Sequence, residues 1–178
     1  MKKTTLIALA LAAVLPLSAN AAERSYTFVE GTYNNADGDA DGLGVRGSIE
    51  FADSGFYALG DYRSYSDSGF DLDTWELGLG YALNLSDNVD LIAEAAHTDF
   101  DVVDGYRLSA GVRGNFTENL EYLGKVNYRN LDVRGDSDDF TYTAGLQYKF
   151  SPTWGLTGEV EFDGDNGEVY TVGLRASF

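Results

Sequence analysis

Apolar and polar positions alternate along most of the chain after residue 25, in ten segments separated by turn-forming residues. The apolar faces of these segments fall within residues 27–33, 43–51, 56–62, 75–83, 89–97, 106–116, 120–128, 140–150, 154–162 and 170–178. A period of two residues is typical of β-strands with two different faces. None of the fifty positions on these apolar faces is Asp, Glu, Lys or Arg, so the pattern predicts ten strands that share one uncharged surface.

An uncharged strand surface of this size fits a lipid bilayer. A strand of about 10 residues rises about 34 Å, and a tilt near 40° reduces this height to the ~25 Å apolar band of an outer membrane. A Lys or Arg side chain that faced lipid at mid-bilayer would cost about 2–4 kcal/mol. We therefore predict an all-β fold, a ten-stranded antiparallel transmembrane β-barrel of the outer-membrane type, with eight strands as the alternative.

The aromatic residues lie at the two ends of the predicted apolar faces, with smaller residues between them. One set lies beside short turns and comprises Phe51, Phe56, Phe116, Phe150, Trp154 and Phe178. The other set lies beside acidic connections and comprises Tyr33, Tyr62, Trp75, Tyr106, Tyr128, Phe140, Phe162 and Tyr170. Two such girdles are expected of a membrane barrel, because Trp and Tyr prefer the membrane interfaces.

The connections between the predicted strands are of two kinds. The short turns are at residues 52–55, 86–88, 117–119 and 151–153. The other connections are rich in Asp and Gly, are mostly longer, and lie around residues 34–41, 64–71, 98–104, 131–138 and 163–167. Short periplasmic turns and longer outer loops are typical of outer-membrane barrels. An even number of strands then places both ends of the barrel on the periplasmic side.

The opposite face of the predicted strands is polar and nearly balanced in charge. The ion-pair network predicted there comprises Glu30, Arg46, Glu50, Asp61, Arg63, Glu76, Glu94, Arg107, Arg113, Lys125, Arg129, Lys149, Glu159, Glu161 and Arg175. Asp90 and Glu121 have the same parity. Buried charges must be paired, and a barrel of this size is mostly filled by side chains, so we predict a plugged lumen. The network is either purely structural or lines a small gated conduit.

The two ends of the chain carry the expected export and assembly signals. Two early lysines, an apolar run over residues 6–17 and a small-residue cleavage site predict a signal peptide at residues 1–21, followed by one barrel domain at 22–178. The last residue, Phe178, resembles the terminal aromatic of bacterial outer-membrane barrels, which the assembly machinery reads. We therefore expect export to the outer membrane of a Gram-negative bacterium.

The chain is strongly acidic, with a net charge of −17, or −19 without the two lysines of the signal peptide. Most of this excess lies in the acidic connections, and such a surface repels nucleic acid. Asp37, Asp39 and Asp41 open a D-x-D-x-D-G sequence like that of an EF-hand. Its twelfth position is Ser48 instead of Glu, and a strand follows in place of a helix, so only weak binding of a divalent cation is predicted there.

Catalysis and cofactors are not expected. The single histidine, His97, has the parity of the lipid-facing side chains, although Asp99 and Asp101 are near it in sequence. Acid–base catalysis needs a partner within about 3 Å and a cleft that holds a substrate. A short barrel wall beyond the membrane would offer little room for such a cleft.

Several ordered stretches resemble one known family. They are residues 26–33, 39–42, 73–81, 110–113 and 154–156. The chain is similar to the small acidic outer-membrane barrels of proteobacteria, a small OmpA/OmpX-like class first described as candidate activators of a plant immune receptor and of quorum sensing. The resemblance implies a barrel that is exposed at the cell surface or shed in vesicles, with links to virulence or biofilm. It provides no catalytic residues.

Three functions follow from these observations. The first is a structural or surface-interaction protein of the outer membrane with a mostly filled lumen. The second is a narrow passive pore that prefers cations because its outer mouth is acidic. The third is a soluble exported β-protein. The expected partners are outer-membrane lipid, lipopolysaccharide, periplasmic chaperones, the barrel-assembly machinery and divalent cations, and the expected state is a monomer.

Overall fold

The computed structural model describes residues 24–36, 40–52, 54–67, 70–100, 103–132, 137–163 and 167–178. The predicted signal peptide lies outside these residues, and so do Asp37 and Asp39 of the predicted cation site. Within the described residues, no helix is long and apolar enough to cross a membrane.

Ten antiparallel strands form one closed barrel. They are β1 (Phe28–Ala36), β2 (Ala40–Glu50), β3 (Phe56–Asp67), β4 (Phe70–Ser86), β5 (Val89–Asp99), β6 (Asp104–Thr117), β7 (Leu120–Leu131), β8 (Ser137–Lys149), β9 (Trp154–Asp163) and β10 (Glu168–Ser177). Each strand pairs with its neighbours in sequence, and β1 pairs with β10 to close the ring. The prediction of ten strands is confirmed, and the alternative of eight is wrong.

The two faces of the wall follow the predicted parity. Large apolar side chains point outward, and Leu43 and Leu77 are 70% and 60% exposed. Polar side chains point into the lumen, where Glu30 and Asn127 have no exposed surface. A shift of one residue in any strand would exchange these faces, so the alternation fixes the register. Between its two ends, the wall therefore directs its charges into the lumen and exposes its apolar residues.

The predicted contrast between short turns and long loops is wrong. The strands continue into the acidic segments, so the connections at both ends of the barrel contain only two to five residues. Asp41, for example, is paired with Ser66 in the β2–β3 ladder, and Asp73 is paired with Ser64 in the β3–β4 ladder. Continued pairing satisfies backbone N–H and C=O groups that a loop would leave to water.

We call the two ends of the barrel the turn end and the loop end. The turn end carries the connections at residues 51–55, 87–88, 118–119 and 150–153, together with residues 24–27 and Phe178. The loop end carries the five acidic connections.

Candidate functional site

The candidate site is the lumen, where every Lys and Arg of the described residues forms an ion pair. The nine bases are Arg24, Arg46, Arg63, Arg107, Arg113, Lys125, Arg129, Lys149 and Arg175. Their partners are Glu30, Asp61, Glu76, Asp90, Glu94, Glu121, Glu159 and Glu161. The lumen thus holds its charges as neutralised pairs contributed by all strands of the wall.

One cluster lies across the seam where the barrel closes. Glu30 on β1 accepts hydrogen bonds from Arg46 on β2 at 2.9 and 3.0 Å, and from Arg175 on β10 at 2.7 Å. Thr157 on β9 also donates to Glu30. Arg46 reaches further and binds Glu159 on β9 at 2.6 and 2.7 Å. This cluster therefore joins the first two strands of the chain to the last two.

A second cluster is centred on Glu121 of β7. Arg113 on β6 donates to its carboxylate at 2.7 and 3.0 Å, and Lys149 on β8 forms an ion pair with it. Only 2% of the Glu121 side chain is exposed. Glu121 lies on the predicted polar face but outside the predicted network, although it holds two of that network's bases.

Four ion pairs lie further toward the loop end. Lys125 binds Glu94 at 3.1 Å, and Arg63 binds Asp61 at 2.8 Å. Arg107 pairs with Glu76, and Arg129 pairs with Glu161. Their side chains are 11–30% exposed, so these pairs are more open to solvent than the pairs of Glu30 and Glu121.

Glu50 and Phe178 lie at the turn end. The Glu50 carboxylate accepts the backbone N–H of Gly55 at 3.3 Å, within the β2–β3 connection. The backbone N–H of Phe178 donates to Thr27 O at 3.0 Å, and the C=O of Phe178 accepts the Ser25 hydroxyl at 2.6 Å. Glu50 therefore supports a turn and forms no ion pair among the described residues, so its predicted place in the network is wrong. The C-terminal residue is tied to the segment that precedes β1.

The lumen also contains an apolar cluster that the prediction of a uniformly polar face missed. Tyr26, Tyr57 and Ile92 are 7%, 3% and 3% exposed, and other apolar side chains pack against them. The surrounding residues are Leu59, Ala82 and Leu123. Since Tyr57 and Ile92 are apolar residues at lumen-facing parity, the sequence did carry a signal for this cluster.

Residues 24–26 complete this cluster from outside the strands. The Arg24 guanidinium binds both carboxylate oxygens of Asp90 at 2.7 and 2.9 Å, and it donates to Asp87 O at 3.0 Å. The Tyr26 hydroxyl also donates to Asp90, at 2.9 Å. Arg113 donates to Ser25 O at 2.9 Å. The period-two pattern predicts no role for Arg24 and Tyr26, because they precede the first predicted strand or lie at its start.

Above the apolar cluster, the lumen holds a cavity of about 470 Å³. Tyr26 and Tyr57 line the cavity near the turn end, and Tyr65, Phe100 and Val169 line it near the loop end. The ion pairs of the middle of the barrel form the wall between these levels. Arg113 and Glu121, near the turn end, also line the cavity, so the lumen is partly filled and its free space runs from the level of the Tyr26 cluster toward the loop end.

Two other predicted features lie on the outside of the barrel. Tyr33 and Asn35 donate to the exposed Asp41 carboxylate at the loop end, and these bonds lower the pKa of Asp41, with the bond from Tyr33 the larger cause. In the described part of the chain, no group of three His, Cys, Asp or Glu residues could hold a metal. His97 is exposed and lies against Trp75, with 5.4 Å between ring centroids.

Comparison of the sequence with protein-family models and with curated proteins finds no match. Solved structures do resemble the barrel. A KdgM porin in complex with disordered oligogalacturonate matches with a TM-score of 0.58 and 15% identity, over 85% of this chain and 99% of that chain. The NanC porin matches with a TM-score of 0.55 and 12% identity, over 85% of this chain and 100% of that chain. The translocator domain of the autotransporter NalP from Neisseria meningitidis matches with a TM-score of 0.51 and 10% identity, over 88% of this chain and 90% of that chain.

At these identities the likeness concerns the fold. The ten-stranded closed barrel, its uncharged exposed face and its porin-like neighbours define the chain as an outer-membrane-type β-barrel.

Proposed function

We propose that this protein is an integral outer-membrane barrel whose lumen is closed to passage, and that it acts as a structural or surface-interaction protein. The observation that supports this proposal is the Tyr26 cluster, which packs in the lumen at the turn end, where Tyr26 and Tyr57 are almost fully buried. The paired charges support the structural role, because they hold the wall together without leaving a described base free.

In the proposed orientation, the turn end faces the periplasm and the loop end faces outward. The exposed Leu43, Leu77 and Leu79 contact lipid, and the barrel is inserted as a monomer. Export by residues 1–21, periplasmic chaperones and recognition of Phe178 by the assembly machinery would precede insertion. A charged network that faces inward leaves the lipid-facing surface uncharged, which supports this placement.

The acidic loop end is the proposed surface for interaction. Divalent cations would bridge its carboxylates to lipopolysaccharide phosphates, with Asp41 as the described member of the predicted site. The resemblance to small acidic barrels of proteobacteria supports a surface role of this kind, including release in vesicles.

Conductance in planar bilayers tests the closed lumen. The refolded chain from residue 22 onward would be inserted into the bilayer with and without millimolar calcium. The folded state of the sample would be verified by a difference in gel migration between boiled and unboiled protein. Silent insertion is the expected result. Steady current steps would contradict the closed lumen, and a chain that fails to insert would contradict the membrane barrel itself.

A narrow passive channel is the second candidate function. The lumen cavity of about 470 Å³ favours it, because this space runs from the Tyr26 cluster toward the loop end. The acidic loop end would then favour cations over anions. Current steps whose reversal potential shifts toward the cation equilibrium potential in a salt gradient would support this function in place of the closed barrel.

A further inference from the structure

We propose that residues Arg24–Tyr26 form a detachable plug that closes the turn end of the lumen. This inference rests on the proposed membrane barrel and explains how its lumen is kept closed. It assigns a role to a short segment that belongs to no strand and that joins the ion-pair network only through Arg24 and Asp90.

The segment crosses the full width of the barrel. It leads into β1, yet Arg24 and Tyr26 bind Asp90 on β5, and Arg113 on β6 donates to Ser25 O. In the closed ring, β5 and β6 are four and five strands away from β1. A chain that starts on one wall and binds the opposite wall must pass over the lumen between them.

Tyr26 is the part of the segment that fills the opening. Its ring stacks on Tyr57 with 4.9 Å between centroids, and the Arg113 guanidinium lies 4.9 Å from the centre of the Tyr26 ring. A Cβ atom at Gly80 would lie 2.2 Å from Cζ of Tyr57. Gly80 therefore leaves the space that the Tyr57 ring needs to form the seat for Tyr26.

The segment can leave without breaking the wall. β1 begins at Phe28, so residues 24–26 contribute no pairs to the strand ladders. Tyr26 and Arg24 are held on the far wall by side-chain contacts with Asp90 and Tyr57, and by the Arg24 bond to Asp87 O. Removal of residues 1–21, as proposed above, makes this segment terminal, and terminal segments held in this way open at a lower free-energy cost than paired strands do.

Removal of the plug would change the charge at the turn end. Arg24 would no longer neutralise Asp90, whereas Arg113 would keep its partner Glu121. The opening would therefore present a carboxylate to a passing ion. We expect the unplugged lumen to favour cations.

Single-channel recording of matched variants tests the plug. Tyr26→Ala removes the ring, Asp90→Asn removes the charge that holds Arg24, and Tyr65→Ala is the control. Tyr65 also lines the lumen cavity, but on the strand wall toward the loop end. We expect the wild type and Tyr65→Ala to insert silently, Tyr26→Ala to give steady current steps, and Asp90→Asn to give briefer steps than Tyr26→Ala.

A labelling experiment gives a second readout that does not depend on a complete pore. The chain has no cysteine, so Ile92→Cys would place one thiol in the cluster to which Tyr26 belongs. A membrane-impermeant maleimide should label this thiol at least tenfold faster when Tyr26→Ala is added. Boiled and unboiled gel migration would show that each variant is folded.

The outcomes separate the plug from the closed barrel. If the wild type and Tyr26→Ala are both inserted and silent, and the Ile92→Cys thiol reacts equally slowly in both backgrounds, the plug is wrong and the closed barrel stands. If Tyr65→Ala opens as Tyr26→Ala does, the plug is also wrong. A wild type that conducts steadily contradicts the closed lumen directly.

Discussion

The two halves of the lumen are filled in different ways. At the turn end, aromatic and aliphatic side chains pack together, and Tyr57 is only 3% exposed. Toward the loop end, the lumen is lined by ion pairs whose side chains are up to 30% exposed, as Arg129 is. Both regions have the same strand parity, so parity alone does not decide whether a stretch of lumen is closed.

The difference shows what each kind of filling does. Packed aromatic and aliphatic side chains exclude water and close the lumen at their level, because protein interiors pack without large gaps. Ion pairs fix the distance between strands but leave space between them, as the cavity of about 470 Å³ shows. We infer that stability and closure are concentrated at the turn end and at the barrel seam, so substitutions there should cost more stability than substitutions toward the loop end.

The largest loss in the free energy of unfolding is expected for Glu30→Ala. Glu30 has no exposed surface and is the partner of both Arg46 and Arg175, so its loss leaves buried positive charge without its main partner. Removing one member of a buried ion pair typically costs about 3–5 kcal/mol. Urea unfolding of the variant in detergent micelles should show a loss of this size, and a loss below about 1 kcal/mol would contradict the importance of the seam.

Tyr57→Ala is expected to have the next largest effect. It removes a buried ring from the Tyr26 cluster and leaves a cavity, at a cost of about 3 kcal/mol. Tyr57→Phe is the matched control, since it keeps the ring and loses only the hydrogen bond to Glu94, which is 2.9 Å long. The control should cost about half as much. Equal losses in urea unfolding would mean that the hydrogen bond, and not the packing, stabilises the turn end.

Asp61→Asn is expected to have a small effect. The Asp61–Arg63 pair is 16% and 25% exposed and joins two residues of the same strand. A solvent-accessible pair of this kind contributes up to about 1 kcal/mol. The same urea titration should show a change within that limit. A loss as large as that of Glu30→Ala would remove the contrast between the two halves of the lumen.

Strand number, the two faces and most members of the ion-pair network could be predicted from the period-two pattern. The choice of partners could not. Arg46 is directly opposite both Glu30 and Asp61 in the ladders, yet it binds Glu30 and reaches over to Glu159. That choice depends on the tilt and closure of the barrel, which bring distant strands together.

Two other features could not be predicted from the period-two pattern. Asp-rich and Gly-rich stretches have low strand propensity, so the extension of β4 to 17 residues depends on its paired neighbours and not on its own sequence. The plug depends on a fold-back of the chain before β1, and Arg24 carries no periodic signal. Only Tyr57, Leu59, Ile92 and Leu123, as apolar residues of lumen-facing parity, marked the place where it would bind.

The smallest effect is expected at the loop end, for Tyr33→Phe. The Tyr33 hydroxyl is the main cause of the lowered pKa of Asp41, and Asn35 is the second. A lowered carboxyl pKa favours the folded state above the ordinary Asp pKa of about 3.9, and this contribution disappears as the pH falls through the lowered value. Tyr33→Phe should therefore raise the pKa of Asp41 toward its ordinary value in an NMR titration. Because Tyr33 and Asp41 are exposed, the loss of urea stability at neutral pH should be smaller than that of any variant above. Tyr170→Phe, which removes a hydroxyl bound to Glu168, should leave the pKa of Asp41 unchanged, and a clear loss of stability in Tyr33→Phe would show that the loop end stabilises the barrel more than its exposure indicates.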